Sequence, residues 1–333
     1  MQPLLDPAIL FFIFGVVAAT LKSNLEIPPA ISRFLSLYLL MALGLKGGFA
    51  LSKSGFTPEV AASLGVAITL AIIIPLCGYF ILKTMLTRFD AAAVAATYGS
   101  VSAVTFVTAV QYLDTHGISY GGYMAAAMAL MESPAIILAV LLANRLRHKE
   151  SLHSEPHAGN PTVQAPSPKH VSFRKILHES VTDGAQLLLL GAMVIGLVSG
   201  EAGKMAMQPF SGDLFKGMLA FFLLDMGLMT ARSAQQLKGL SFKLVSYAVF
   251  APLFHASLAL VLAWMINASM GDAILLMVLA ASASYIAVPA VLRTAIPEAN
   301  PSLYFGMSLG ITFPLNLLIG IPAYSQAAKL LIR

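Results

Sequence analysis

Two Ser-x-Ser pairs stand inside apolar sequence: Ser100 and Ser102 in YGSVSAVTFVTAV (98–110), Ser282 and Ser284 in AASASYIAVPAVL (280–292). A hydroxyl both donates and accepts hydrogen bonds, so such pairs can serve an oxyanion and a small cation alike. Two carboxylates lie equally deep, Glu132 in MALMESPAI and Asp225 in FFLLDMGLM. A charge at mid-membrane costs roughly 2.5–3.5 kcal/mol on insertion scales, and such groups usually face a cavity or a partner. Glu132 can ligate a cation or take a proton. Thr312 and Asn316, which flank Pro314, add further polar candidates, whereas His255 in APLFHASL reads as a packing histidine satisfied by its neighbours. No nucleophile with a base and no paired His and Glu on one helix is present, so no catalytic site is expected. The single cysteine, Cys77, excludes a disulfide framework and any multi-cysteine metal site.

The surrounding sequence is that of an all-α integral membrane protein. Of 333 residues 58% are hydrophobic and 11% charged, against about 25% charged in a soluble domain. A bilayer core needs about 20 apolar residues per helix. Ten candidate spans result: 7–21, 30–50, 58–83, 90–112, 119–145, 182–200, 212–231, 242–267, 272–293 and 301–330. The net charge of +5 sits between apolar runs, which points to membrane loops and not to nucleic acid. No Lys or Arg precedes the first run, which argues against a secretory signal peptide. Between spans five and six a stretch rich in charge, Pro, Ser and His (146–180) reads as a flexible linker. Five histidines fall in or beside it (His148, His153, His157, His170, His178) and read as ordinary solvated side chains.

Six of the 20 Lys and Arg fall on the side of the N-terminus (Lys46, Lys53, Lys204, Lys216, Lys329, Arg333) and the other 14 opposite. The richer side is cytoplasmic by the positive-inside rule, which puts both termini outside and the linker in the cytoplasm.

The linker separates two sets of five spans, 1–145 and 181–333, that match in order. Asp90 leads to Ser100 and Ser102 as Asp272 leads to Ser282 and Ser284; Pro134 matches Pro314; Gly44-Leu45 matches Gly227-Leu228; DPAIL (6–10) matches DGAQL (183–187). In that register Glu132 pairs with Thr312 and Asp225 with Ala42. An odd number of spans makes the second set enter from the other side, so the repeats are inverted, an architecture of secondary transporters.

Within it the Ser-x-Ser motifs mark broken helices. Breaks in hydrocarbon are tolerated beside a cavity or buried protein; Gly99 offers backbone freedom at the first and Pro289 distortion at the second. Two half-helix N-termini facing each other carry free N–H groups and about half a positive charge each, an anion site without Arg or Lys. The competing reading is that Ser and Gly only let helices approach closely.

With these residues in view, the chain resembles the sodium-dependent bicarbonate symporter of cyanobacteria and its bacterial relatives. The resemblance rests on LLMALGLKGG, ATYGSVSAVTFVTA, MALMESPAIILA, GDLFKGMLAFFLLDMG and LAASASYIAVPAVLR. It implies ten membrane helices in core and gate domains, interrupted fourth and ninth helices, a homotrimer, and sodium-coupled bicarbonate uptake across the bacterial cytoplasmic (inner) membrane for carbon concentration. It places substrate at Gly99, Ser100, Ser102, Thr105, Ser282 and Ser284. Sodium, the coupling ion and the one metal expected, has candidates in Ser100, Ser102, Ser282, Ser284, Glu132, Asp225, Thr312 and Asn316. No cofactor is implied. The family's partner is a trimeric PII-like cytoplasmic protein that binds adenine nucleotides; the 146–176 stretch is not part of the family pattern. The alternative transport reading is a sodium/proton antiporter, or a sodium-coupled carrier of another small anion, with Glu132 as the coupling group.

Overall fold

The computed structural model describes residues 6–153, 183–237 and 239–332. Among them the regular structure is helical throughout: α1 (Pro7–Thr20), α2 (Pro29–Ser54), α3 (Pro58–Leu82), α4 (Arg88–Gly99), α5 (Ala103–Thr115), α6 (Met124–His153), α7 (Gly184–Met207), α8 (Phe215–Ser233), α9 (Phe242–Met265), α10 (Met270–Ala281), α11 (Ala287–Ala295) and α12 (Pro301–Leu331). Seven helical runs are long and apolar enough to cross a membrane, with α1 and α10 as shorter apolar helices. This is a multi-pass membrane protein. One of the seven runs, Gly184–Ser233, holds both α7 and α8, interrupted at Gly200 (φ 53°) and by a π turn over Gln208–Asp213.

Local sequence explains where the helices start. Asp6 accepts from Ala8 N, Thr57 from Val60 N, Asp183 from Ala185 N and Gln186 N, and Asn300 from Ser302 N. These side chains satisfy amides that no helical carbonyl reaches. A proline opens α1, α3 and α12, where its missing N–H costs nothing. The matched DPAIL and DGAQL stretches are thus two equivalent N-caps.

Helices α1, α2, α7 and α8 form one closely packed group, and the remainder pack chiefly among themselves. In the first group the repeat-matched glycines sit where backbones touch. A Cβ on Gly44 would lie 2.4 Å from the carbonyl oxygen of Leu189, and one on Gly227 2.1 Å from that of Phe12. Such contacts let membrane helices gain dispersion energy where no hydrophobic force drives them together.

The two aspartates that open the Ser-x-Ser helices act as clamps. Thr87 and Asp90 at α4, and Ser269 and Asp272 at α10, form the same reciprocal cap: the hydroxyl donates to the carboxylate (2.7 Å in each) and accepts from the Asp amide (3.2 Å in each). The second carboxylate oxygen reaches across the linker's division of the chain. Asp90 accepts from the amide of Asn300 at the entry to α12 (2.7 Å), and Asp272 from the amide of Gly121 at the entry to α6 (2.7 Å), with Tyr123 also donating to it (2.9 Å).

Lys46 falls within α2, inside the expected span 30–50, its ammonium 3.2 Å from Asp114 and 4.2 Å from the centre of the Phe215 ring. A lysine stem this long lies along apolar surface while its head finds a carboxylate. Helix α6 also continues through His153 and so takes in 146–153 of the expected linker; the rest of it, with His157, His170 and His178, lies outside the described residues. Arg147, on that extension, is 7% exposed and pairs with Glu298 at 2.7 Å. This contact holds the Glu298 carboxyl below its ordinary value.

Candidate functional site

Both Ser-x-Ser helices are broken, and the breaks touch. Helix α4 ends at Gly99, Ser100 and Val101 leave the helix, and Ser102 caps α5 by accepting from Thr105 N (3.2 Å). Helix α10 ends at Ala281, residues 282–286 are extended or bent, and α11 begins at Ala287, with Ser284 accepting from Val288 N (3.3 Å). Two hydrogen bonds join the breaks: Ser284 N donates to Thr97 O (2.8 Å) and Ser102 N to the Ser282 hydroxyl (3.0 Å).

The causes of the breaks differ from those expected. Gly99 does not have a positive φ. It is needed for space, because a Cβ there would lie 2.5 Å from Pro75 on α3. Pro289 does not distort α10; it stands in the first turn of α11, where a helix tolerates proline best. The polar residues of α12 repair the freed backbone. Asn316 donates to Ala281 O (2.7 Å) and accepts from Tyr324 (2.8 Å), while Thr312 donates to Ala248 O (2.8 Å) and accepts from Tyr98 (2.7 Å). Each carbonyl left without a partner in hydrocarbon costs several kcal/mol; the Asn316 bond therefore stabilises the crossing, and the Thr312 bond satisfies a carbonyl of α9 that Pro252, four residues on, cannot serve. Two π turns, Ser308–Thr312 and Asn316–Gly320, flank Pro314.

The starts of α5 and α11 open on one cavity of about 70 Å³. Its lining includes Ser102, Ala103 and Val104 from the first break and Ser284, Tyr285, Ile286 and Ala287 from the second. The rest of the lining includes Ser36 and Leu40 on α2, Ala185, Gln186 and Leu189 on α7, and Met128 and Glu132 on α6. Gln186 Nε2 donates to the Glu132 carboxylate at 2.7 Å. Pockets for drug-sized ligands run about 300–1,000 Å³, so this space suits an ion of a few heavy atoms. The first amides of a helix lack helical acceptors and carry the positive end of its dipole. An anion placed between α5 and α11 meets two such ends.

The sequence candidates therefore divide. Ser102, Ser284 and Glu132 line the cavity, and Thr105 supports Ser102 by donating to its hydroxyl at 3.0 Å. Ser282 lies one bond behind, accepting from Ser102 N and donating to Leu279 O (2.9 Å). Ser100 is 1% exposed, and its hydroxyl has no partner among the described residues. Thr312 and Asn316 are occupied by backbone carbonyls. Asp225 accepts from Ser32 between α8 and α2, apart from the cavity. His255 is buried as expected, but its Nδ1 lacks a partner. Sequence reasoning missed Gln186; its signal was its place two residues into a helix whose cap, Asp183, matches Asp6.

No curated protein matches the chain. A family model, that of the Na+-dependent bicarbonate transporter superfamily, matches residues 7–329, nearly the full length. The broken helices, their shared cavity and this match lead to one conclusion: the chain belongs to the Na+-dependent bicarbonate transporter superfamily, and is a membrane transporter rather than an enzyme.

Proposed function

We propose that the protein couples sodium influx to bicarbonate uptake by alternating access. The observation that carries this reading is the single small cavity onto which two broken helices open their N-terminal ends. Bicarbonate binds there through the first amides of α5, the Ala287 amide of α11 (Val288 N already serves Ser284 and Pro289 has no N–H) and the hydroxyls of Ser102 and Ser284. Sodium binds beside it, with the unpartnered Ser100 hydroxyl as its first ligand candidate. Bound cation and anion neutralise each other, so each raises the other's affinity, as coupling requires.

Ten spans in two inverted repeats account for the reciprocal clamps, since a pseudo-two-fold axis exchanges Asp90–Asn300 with Asp272–Gly121. Helices α1, α2, α7 and α8 serve as the gate, and the others as the core that carries the site. Two polar pairs cross between these bodies, Lys46–Asp114 and Gln186–Glu132. The cavity meets α7 in its first two turns, the end nearest the linker. This supports a state with the site turned toward the cytoplasm and the Lys46–Asp114 pair closing the outer side.

The test is labelled bicarbonate uptake into proteoliposomes with sodium outside, and again with sodium replaced by potassium. Uptake that requires sodium is expected; equal uptake in potassium would remove the coupling.

A further inference from the structure

The cavity lining combines two kinds of chemistry. It holds the residues that open α5 and α11, with the amides of Ala103, Val104 and Ala287 among them, and it also holds Glu132 and Gln186, joined at 2.7 Å. In that bond the Gln186 amide presents its NH₂ and a Glu132 oxygen accepts. One carboxylate oxygen is thereby engaged. The other carboxylate oxygen and the Gln186 carbonyl are both acceptors. The cavity thus brings donors and acceptors together in one lining.

We propose that Glu132, fixed by Gln186, is the specificity-determining residue, and that it selects anions carrying a hydroxyl. This rests on the transport reading above. Bicarbonate is flat, singly charged and bears one O–H. Its two bare oxygens take hydrogen bonds from the helix amides, and its hydroxyl donates to Glu132. Nitrate has the same trigonal shape and charge but no proton. In the same pose it sets a bare oxygen against a carboxylate, with nothing between them to offset the repulsion. Carbonate fails in the same way, and formate, which turns a C–H toward Glu132, leaves the carboxylate without the hydrogen bond that bicarbonate gives it. A site built to bond a substrate hydroxyl rejects analogues that lack it far more strongly than a difference in size can, and a fixed like charge is a means of excluding a competitor. The acidic residue beside an anion site, paradoxical for affinity, is what discrimination requires.

The test is competition in proteoliposomes at a pH where bicarbonate outweighs carbonate. Labelled bicarbonate uptake driven by sodium is measured against rising nitrate or formate, for wild type and for E132Q. For the wild type, inhibitor in about 100-fold excess should leave uptake unchanged. In E132Q the new NH₂ offers a donor to a bare oxygen, so bicarbonate uptake should fall about tenfold and nitrate should now compete. Nitrate competing with the wild type at equal concentration would overturn the proposal. So would E132Q that keeps full selectivity while needing more sodium for half-maximal uptake, a result that makes Glu132 a sodium ligand. Should E132Q fail to insert, the wild-type competition decides alone, and Q186L, which frees the carboxylate, should weaken selectivity without abolishing it. A wild type with no sodium-dependent uptake brings down the transport reading itself, a separate outcome from uptake that nitrate blocks.

Discussion

At the first break the Ser100 hydroxyl is buried without a partner, whereas at the second the matching hydroxyl of Ser282 is engaged twice, by Ser102 N and Leu279 O. The carbonyls tell the same story from the other side. Ala281 O is met by a side chain, Asn316, and Thr97 O by a backbone amide, Ser284 N. Residues at matched positions thus stand in different surroundings, the Ser282 hydroxyl bonded to both broken helices and the Ser100 hydroxyl to neither. The difference teaches that repeat position identifies a motif but not its task.

The largest way to break this comparison is to fill what the halves share. S102L puts a branched side chain into a cavity of about 70 Å³ and should abolish sodium-dependent uptake while membrane insertion continues; undiminished uptake would remove the site. Next, S282A leaves the buried Ser102 amide unpaired, a loss of about 1–3 kcal/mol, read as a lowered thermal midpoint in detergent or nanodiscs. S100A at the matching position deletes a hydroxyl that bonds nothing and should shift stability by less than about 0.5 kcal/mol. Its effect should show instead as a raised sodium requirement. Equal destabilisation by both alanines would erase the difference. A smaller change is expected from D114N, which weakens the link between α2 and α5 and should alter uptake rate more than thermal midpoint. The smallest concerns Glu298. Its carboxyl is held below the ordinary value by Arg147, so the pair's stabilisation is present above the unfolded pKa, about 4.3, and is lost as pH falls through the lower folded value. A scan of thermal midpoint from pH 6 to pH 3 should therefore show a steeper acid decline in wild type than in R147M, by a modest margin for so exposed a carboxylate.

Much of the fold was legible because hydrocarbon leaves few options. Long apolar runs must be helices, and Ser-x-Ser within two of them at matched spacing marked the breaks. The reasons behind individual residues were not legible. Gly99 was expected for backbone freedom, yet it makes room for Pro75, a residue 24 positions away on another helix. Lys46 stood inside the expected span 30–50, but its partner, Asp114, is named by packing and not by spacing. Thr312 and Asn316 presented the polarity of ligands, but hydrogen bonds to Ala248 and Ala281 occupy them. Gln186 stood unnoticed at a helix start, since only the cavity reveals that it faces Glu132. Periodicity reports which element a residue belongs to. It says nothing about what arrives from the far half of the chain.

The aspartate clamps carry a consequence for biogenesis. Gly121, at the threshold of α6, waits for a carboxylate 151 positions further along, and Asp90 waits still longer for Asn300. The early helices must therefore enter the bilayer with their fastenings undone, and the crossing can be secured only when the final quarter of the chain has left the ribosome. Premature termination anywhere before α10 would strand the helices that precede it without their lock.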